Sequence, residues 1–442
     1  MNKFIFLKIV LIYLGICFLN SCIEPFNPDI DEGKQLIVIN GSVTNEEGYQ
    51  YAEISTTSPF DNPVFNPLND CQAKIIDDKG NEFEMEQYAE GKYRTWIEEQ
   101  YLQTGTQYKI EVVLDNGNGK RYESEFDTLL PCPDIDKIYF EFKNVIPDNP
   151  AIPPQEGIQF YVDFDATGDY ANNYRWEAIE TWEYNAEEKT YIIYYGVEYH
   201  CCYSTVEYPL WDPCHDIDID TCWAWLNLRF LDPSKSWDVP LIDSLYTCWK
   251  TGKVNDIFTY SSNQKTNKKV IGLPLYLITN KDNRLTIKYS ILLKQIALSD
   301  AAFVYWNQLQ TQSQESGGLY DTQPYELKGN IKCINDENEK VIGIFSASSV
   351  KTKRFTTPIL MNRNYYFCVT KIERWRDLLR YLWGGDPGQI PNSNTNIPDT
   401  PLYLHPFFNN VGLPRKDTFS LIDQSCIDCR LKGGTLTKPD YW

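Results

Sequence analysis

Apolar and polar residues alternate with a period of two over much of residues 35–130, and this spacing predicts β-strands. One predicted strand carries four apolar side chains on a single face, namely Tyr108, Ile110, Val112 and Leu114. The turn Asp78-Lys79-Gly80 separates two strand-like segments, and residues 116–119 (NGNG) reverse the chain again. Short strands at this spacing predict an immunoglobulin- or transthyretin-like β-sandwich over residues 35–131.

A second β region begins after Pro131 and Pro133, which mark a predicted boundary. Strand-like runs then recur along the chain, at residues 135–142, 158–164, 174–184, 191–199 and 285–293. We therefore expect a larger β-rich domain over residues 132–442. The chain as a whole is predicted to be mainly β.

Two segments instead show helical spacing. The first follows Ser299, a predicted N-cap, and places Ala302, Trp306 and Leu309 on one face before Gly317-Gly318 ends it. The second is predicted from about Ile372 to Trp383. We expect two or so helices in the C-terminal domain, with their apolar faces directed to the core.

The first 21 residues have the proportions of a secretory signal, with Lys3 and Lys8 ahead of a short apolar run from Ile9 to Phe18. The stretch Leu19-Asn20-Ser21-Cys22 resembles the bacterial lipobox, after which the peptide is cut and the cysteine is acylated. We expect Cys22 to be the first mature residue and to carry lipid, with residues 22–34 as anchor and tether. The alternative is an ordinary signal peptide with an incidental cysteine.

Charge excludes one class of partner. Loss of residues 1–21 leaves 421 residues with 39 basic and 61 acidic side chains. Such a surface repels phosphate backbones and anionic headgroups, so nucleic-acid binding is not expected. Attachment to the lipid membrane should therefore rest on the acylated Cys22.

Cysteine is abundant for an exported chain, in which disulfides form and persist. Eleven cysteines remain besides Cys17 and Cys22, and an odd number leaves at least one unpaired within the chain. Three pairings are suggested by position: Cys71 with Cys132, Cys333 with Cys368, and Cys426 with Cys429. At least two further bonds are expected in a cysteine-rich insertion at about residues 200–250, among Cys201, Cys202, Cys214, Cys222 and Cys248.

A metal site is the competing interpretation of that insertion. It also contains His200, His215 and three alternating aspartates. However, Cys201 and Cys202 are adjacent, whereas structural zinc sites favour spaced pairs. Thr221 and Asn227 occupy the loop positions where a calcium loop of the EF-hand type needs Gly and Glu. Disulfides are therefore the favoured account, and no metal or cofactor is expected.

Several blocks of the chain resemble a known family. They are CIEPFNP after the lipobox, INGSVTNEEG, IIDDKGNEF, DIDKIYFEF, KYSILLKQIALSDAAFVYWNQLQTQ with GGLYD, GNIKC, and the closing CIDCRLKGGTLTKPDYW. The chain resembles the Bacteroidota lipoprotein family called domain of unknown function 4249. The resemblance implies an outer-membrane lipoprotein, often encoded beside a TonB-dependent receptor. It implies no activity and carries over no catalytic residues.

Three functions compete on this basis. The first is an accessory or substrate-capture subunit of a TonB-dependent outer-membrane receptor, anchored in the outer membrane and exposed at the cell surface, although a periplasmic location remains an alternative. The second is a free-standing surface adhesin that grips glycans or proteins. Its candidate ligand-binding residues are Trp211, Trp223, Trp225 and Trp249.

The third function is a hydrolase. The chain has only three histidines and lacks the GxSxG, HExxH and phosphate-loop motifs. Paired carboxylates could cleave glycosides, but 61 acidic residues make chance pairs common. The sequence therefore predicts a protein that is not an enzyme.

Overall fold

The computed structural model describes residues 35–58, 64–114, 119–147, 153–187, 189, 192–201, 222–230, 245–281, 283–315, 327, 329–358, 361, 370–374, 402–408, 414–422 and 424–442. Within these ranges the chain forms 25 strands and one α-helix, α1 (Asp300–Glu315). The prediction of a mainly β fold is confirmed.

The strands that precede residue 130 are β1 (Ile37–Thr44), β2 (Gly48–Thr56), β3 (Asn66–Pro67), β4 (Cys71–Asp77), β5 (Glu82–Ala89), β6 (Lys92–Ile97), β7 (Gln107–Leu114), β8 (Arg121–Ser124) and β9 (Asp127–Thr128). The later strands are β10 (Ile135–Val145), β11 (Gln155–Asp165), β12 (Asn173–Asn185), β13 (Ile192–Cys201), β14 (Cys222–Phe230), β15 (Thr247–Lys253), β16 (Phe258–Ser261), β17 (Lys269–Thr279), β18 (Lys288–Leu298), β19 (Ile331–Cys333), β20 (Val341–Ile342), β21 (Phe345–Ser348), β22 (Val350–Pro358), β23 (Thr370–Arg374), β24 (Leu402–Phe408) and β25 (Pro414–Ile422).

The first sheet has twelve strands and folds around one core. Its order is β19-β8-β7-β4-β5-β6-β2-β1-β20, with β21 also on β1, β3 on β2 and β9 on β7. Strands β19, β20 and β21 come from beyond residue 330, and β20 and β21 pair in parallel with β1. The backbone N–H of Ala347 donates to Asp127 Oδ2 at 2.8 Å, which joins β21 to β9. The sheet that residues 35–131 begin is therefore completed by strands that follow α1.

The core of this sheet is built from the alternation that the sequence shows. Ile54, Ile110 and Val112 are fully buried on the inner face, and Phe345 of β21 is fully buried with them. Truncation of a buried phenylalanine costs about 3–5 kcal/mol, so the late strand contributes substantially to the stability of the early ones.

The second β region contains two sheets that share a core. The first has the order β10-β11-β17, and the second has the order β15-β12-β18-β22, with β16 also on β12. Aromatic side chains fill the space between them. The ring of Phe160 stacks on Tyr276 and Tyr289, with centroids 5.0 and 5.4 Å apart. A further sheet has the order β14-β13-β24-β25-β23.

Helix α1 begins at the predicted N-cap. The backbone N–H of Ala302 donates to Ser299 Oγ at 3.2 Å, which satisfies one of the free donors at the helix start. Ala302 and Tyr305 are buried, while Trp306 and Leu309 pack against the same small core. No helix among the described residues is long and apolar enough to cross a membrane. The predicted second helix starts as strand β23, and its later residues lie outside the described part.

The cysteines pair differently from the prediction. Cys248 of β15 forms a disulfide with Cys429, so the predicted Cys426–Cys429 bond is wrong. The backbone explains this choice, because Cys429 N–H donates to Leu245 O at 3.0 Å and its carbonyl accepts from Tyr184 Oη at 2.6 Å. These bonds hold Cys429 against β15. Cys426 is disulfide-bonded as well.

The pairing of Cys71 with Cys132 is also wrong, and so is that of Cys333 with Cys368, because Cys71, Cys132 and Cys333 are buried free thiols. Burial raises the pKa of Cys132 to about 12, which keeps this thiol protonated. In the insertion, Cys201 lies opposite Cys222 in the register of β13 and β14, and the expected bonds there stay a prediction. Cys202, Cys214 and Cys368 lie outside the described residues.

Candidate ligand-binding cleft

A cleft of about 720 Å³ separates the first sheet from helix α1 and the sheet beneath it. Its first wall is formed by β1, β2 and β21 together with Tyr88 of β5 and Lys92 of β6. Its second wall is formed by β12, β18 and α1 together with Lys253 of β15. This volume lies within the range of about 300–1,000 Å³ that is typical of small-molecule sites. The cleft is therefore large enough for a ligand of several rings.

The first wall carries exposed aromatic rings because β2 alternates. Tyr49 and Tyr51 point outward, while the alternate residues Gln50 and Ala52 are buried. The two outward rings meet Trp96 and Tyr88 edge to face, with centroids 5.2 and 5.9 Å apart. We call the four rings of Tyr49, Tyr51, Tyr88 and Trp96 the aromatic face. Each ring is 40–52% exposed, which is unusual for a cluster of large side chains.

Arg94 orders this aromatic face. Its guanidinium carbon lies 4.1 Å from the ring centre of Tyr49 and 5.1 Å from that of Tyr88. Its Nε donates to Glu86 Oε1 at 2.8 Å. The cation therefore bridges two rings, and a planar ligand would meet surfaces already fixed in position.

The second wall is a polar row on the outer face of β12 and β18. Arg175 and Glu177 alternate with the buried Tyr174, Trp176 and Ala178. Across the ladder, Ile296 lies opposite Arg175 and Lys294 lies opposite Glu177. The row faces the cleft because the other face of the sheet is committed to the core.

Arg175 is the most constrained charge of the cleft. Its guanidinium carbon lies 3.9 Å from the ring centre of Trp306. Its Nη1 lies 2.8 Å from Glu177 Oε1. Burial lowers the pKa of Arg175, and the carboxylate of Glu177 opposes that effect. This arrangement fixes the guanidinium plane against helix α1.

Glu177 forms ion pairs with two cations, Arg175 and Lys253. Burial by itself would raise the pKa of Glu177, but Arg175 and Lys253 outweigh it and leave the pKa below its ordinary value. The Nζ of Lys253 lies 3.5 Å from Glu177 Oε2. A single carboxylate therefore compensates more than one positive charge at this wall.

Three buried polar atoms of cleft-lining residues have no hydrogen-bond partner among the described residues. They are Arg175 Nε, Trp306 Nε1 and Ser348 Oγ. A buried donor without an acceptor costs about 1–3 kcal/mol.

A second polar cluster lies in the core and does not open into the cleft. Tyr289 donates to the carboxylate of Glu180 at 2.7 Å, and Arg284 Nη1 lies 3.2 Å from the same group. The hydroxyls of Tyr276 and Tyr289 are 2.9 Å apart. Burial raises the pKa of both tyrosines, so the cluster stays neutral at its hydroxyls and serves packing.

The predicted site residues fall elsewhere. Trp249 is half-buried on β15 and does not line the cleft. Trp223 and Trp225 lie on β14, for which only the backbone is described, whereas Trp211 and the lipidation candidate Cys22 lie outside the described residues. Within the part of the chain that the structure describes, no three His, Cys, Asp or Glu side chains are grouped so that they could hold a metal ion.

The cleft residues were missed because no local motif marks them. The available signal was the set of residues that alternate with the buried apolar ones. These are Tyr49 and Tyr51 on one strand, and Arg175 and Glu177 on another. Each pair occupies the outer face of a predicted strand. Their meeting across a cleft depends on how distant segments pack.

Comparison with known proteins supports the family resemblance. The family described as "Domain of unknown function (DUF4249)" matches residues 23–354, which include both walls of the cleft. The closing block CIDCRLKGGTLTKPDYW lies beyond the matched range. No curated protein and no solved structure matches the chain. Because the match covers well over half of the sequence, the chain belongs to the DUF4249 family.

Proposed function

We propose that the protein is a lipid-anchored capture protein that binds a saccharide without transforming it. The carrying observation is the continuity of the aromatic face with the cleft, because Tyr49, Tyr51 and Tyr88 belong to both. Aromatic rings offer flat apolar surfaces with polar edges, which suit the alternating faces and hydroxyls of sugar rings. Saccharide units would stack on the rings and enter between the walls.

Polar groups along the same wall favour a ligand rich in hydroxyls. Asn40, Ser42 and Thr44 of β1 line the cleft beside the aromatic rings. Small hydroxyl and amide side chains exchange donor and acceptor roles readily, and so suit ligands that present many hydroxyls. Binding without chemistry is proposed because the sequence supplies no recognised catalytic motif.

The proposed setting is the outer membrane. The lipobox at Cys22 would anchor the chain, and the captured saccharide would pass to a TonB-dependent receptor. A free-standing adhesin would use the same cleft but would have no β-barrel partner. Affinity copurification from gently solubilised outer membranes separates the two, because repeated absence of a β-barrel receptor favours the adhesin.

Binding itself is tested with substitutions on the aromatic face. Tyr49→Ala and Tyr88→Ala should each weaken polysaccharide binding at least tenfold in affinity electrophoresis and calorimetry. The matched control is Tyr170→Ala, because Tyr170 is as exposed as Tyr49 but lies outside the cleft. Failure of the wild type to bind any neutral or acidic polysaccharide would overturn the proposal. Unchanged binding by both variants would also overturn it.

A further inference from the structure

We infer that the ligand of the cleft is acidic, namely a carboxylate-bearing saccharide whose anionic group is held at the wall formed by Arg175, Glu177 and Lys294. This inference rests on the proposed saccharide-binding function and names the class of saccharide. It is carried by the net positive charge of the cleft lining and by the register of β12 and β18.

The lining of the cleft has a net positive charge, whereas the chain as a whole has a net negative charge. The whole sequence has 41 basic and 61 acidic residues. The cleft lining instead has more basic residues than acidic ones: Lys92, Arg175, Lys253 and Lys294 against Glu46, Glu53 and Glu177. The net negative charge of the chain favours solubility, but that requirement does not account for a cationic lining inside one cleft.

The excess positive charge lies at the second wall. On the first wall, Lys92 lies directly opposite Glu53 in the pairing of β2 with β6, so this cation has a local counter-charge. On the second wall, Glu177 is shared between Arg175 and Lys253. Lys294 lies opposite Glu177 in register and makes no ion pair of its own within the described part of the chain. One carboxylate thus faces three cations.

The donors at this wall are directional. Arg175 is held by the ring of Trp306 and by Glu177, which occupies Nη1. Its Nε and the indole Nε1 of Trp306 are both buried and lack partners among the described residues. A carboxylate presents two acceptor oxygens and suits neighbouring donors better than a lone hydroxyl does. The anionic group of the ligand would offset the excess positive charge at this wall.

The acidic chain does not prevent this binding. At physiological ionic strength, repulsion between exposed charges is largely screened beyond about 8 Å. Inside the cleft, the partly desolvated cations interact more strongly with an anion than they would in water. Short-range attraction therefore prevails once the ligand has entered.

The test compares ligands that differ only in charge. Full-length mature protein in mild detergent is titrated with hexagalacturonate and with its fully methyl-esterified form, while alginate, hyaluronate and neutral maltohexaose extend the panel. The wild type should bind at least one acidic saccharide tenfold or more tightly than its esterified or neutral counterpart. A sulfated saccharide, used as an additional arm, shows whether the wall accepts any anion or favours the planar carboxylate.

Lys294→Gln is the decisive variant, because Lys294 is half-buried, unpaired among the described residues and unnecessary to the core. It should abolish most of the preference for the acid, because affinity for the acidic form should fall much more than affinity for the neutral form. Lys79→Gln removes the same charge from an exposed turn outside the cleft and should leave the preference intact. Arg175→Gln should act in the same direction, but its contact with Trp306 makes folding a concern that Lys294→Gln avoids.

The outcomes separate the two proposals. Equal affinity for acidic and neutral forms, with loss of both in Tyr49→Ala, would overturn the acidic preference and leave saccharide capture standing. Retention of the preference in Lys294→Gln would overturn the assignment of the wall. Absence of binding across the whole panel would overturn both.

Discussion

Removal of the disulfide between Cys248 and Cys429 should destabilise the second β region substantially. The two cysteines are 181 residues apart, and both are fully buried. Closing a loop of that length reduces the entropy of the unfolded chain by an amount worth about 5 kcal/mol at 25 °C. The perturbation is the double substitution Cys248→Ala/Cys429→Ala, which avoids placing an unpaired polar group in the core.

The expected loss of stability is smaller than the value of about 5 kcal/mol that loop entropy alone would give. Cys426, only three residues before Cys429, is itself disulfide-bonded, so the C-terminal segment stays covalently tied. Noncovalent contacts also hold the segment. Trp249 and Thr435 exchange two backbone hydrogen bonds, and the guanidinium of Arg354 lies 3.5 Å from the ring centre of Tyr441. We therefore expect a loss of about 2–4 kcal/mol in the free energy of unfolding, the usual range for a native disulfide.

Urea unfolding followed by tryptophan fluorescence measures this loss. The matched control is Cys71→Ala/Cys333→Ala, which removes two buried sulfurs without breaking a bond. A loss no larger than that of the control would refute the reasoning. So would rapid reduction of the native bond by dithiothreitol without denaturant, because full burial should require local opening before the bond reacts. Peptide mapping without reductant verifies the bond in the wild type.

The remaining predictions concern pH, a close contact and the membrane anchor. The pKa of Glu177 is lowered in the folded protein, so its ionised form stabilises the fold above the ordinary carboxylate range, and this contribution is lost as pH falls through the lowered value. Glu177→Gln should therefore flatten the decline in melting temperature below about pH 4.5, and an unchanged slope would contradict this. Gly434→Ala should lower the free energy of unfolding in urea by about 1–3 kcal/mol, because the added Cβ would lie 2.7 Å from Cys248 Cβ and press on the hydroxyl of Tyr184. Stability equal to that of the wild type would show that the segment shifts freely. Cys22→Ala should release the protein from membranes and abolish acyl labelling, whereas a membrane-bound, unlabelled wild type would refute lipidation.

Part of the candidate site was within reach of sequence reasoning. The period of two identified the strands and separated inner faces from outer faces, which is why the burial of Ile110 and Val112 agrees with the prediction. It also placed Arg175 and Glu177 on the polar face of a predicted strand. The pattern did not indicate which outer face would be covered by helix α1 and which by the C-terminal segment.

The sequence by itself determined the local features of this protein. Alternation determined that the chain is mainly β, and Ser299 determined where α1 begins, because both signals act between residues that are near neighbours along the chain. Family membership was also visible in short blocks of sequence. These features need no knowledge of distant partners.

Only the tertiary structure decided which distant segments meet. Strands β20 and β21 pair with β1 from about 300 residues away, and Cys429 pairs with Cys248, 181 residues away, instead of with the much nearer Cys426. The cleft likewise joins Tyr49 and Tyr51 to Arg175 and Lys294. The physical reason is that alternation specifies which face of a strand is apolar, whereas the choice of partner depends on the packing of whole sheets and on backbone hydrogen bonds made after the chain has folded back.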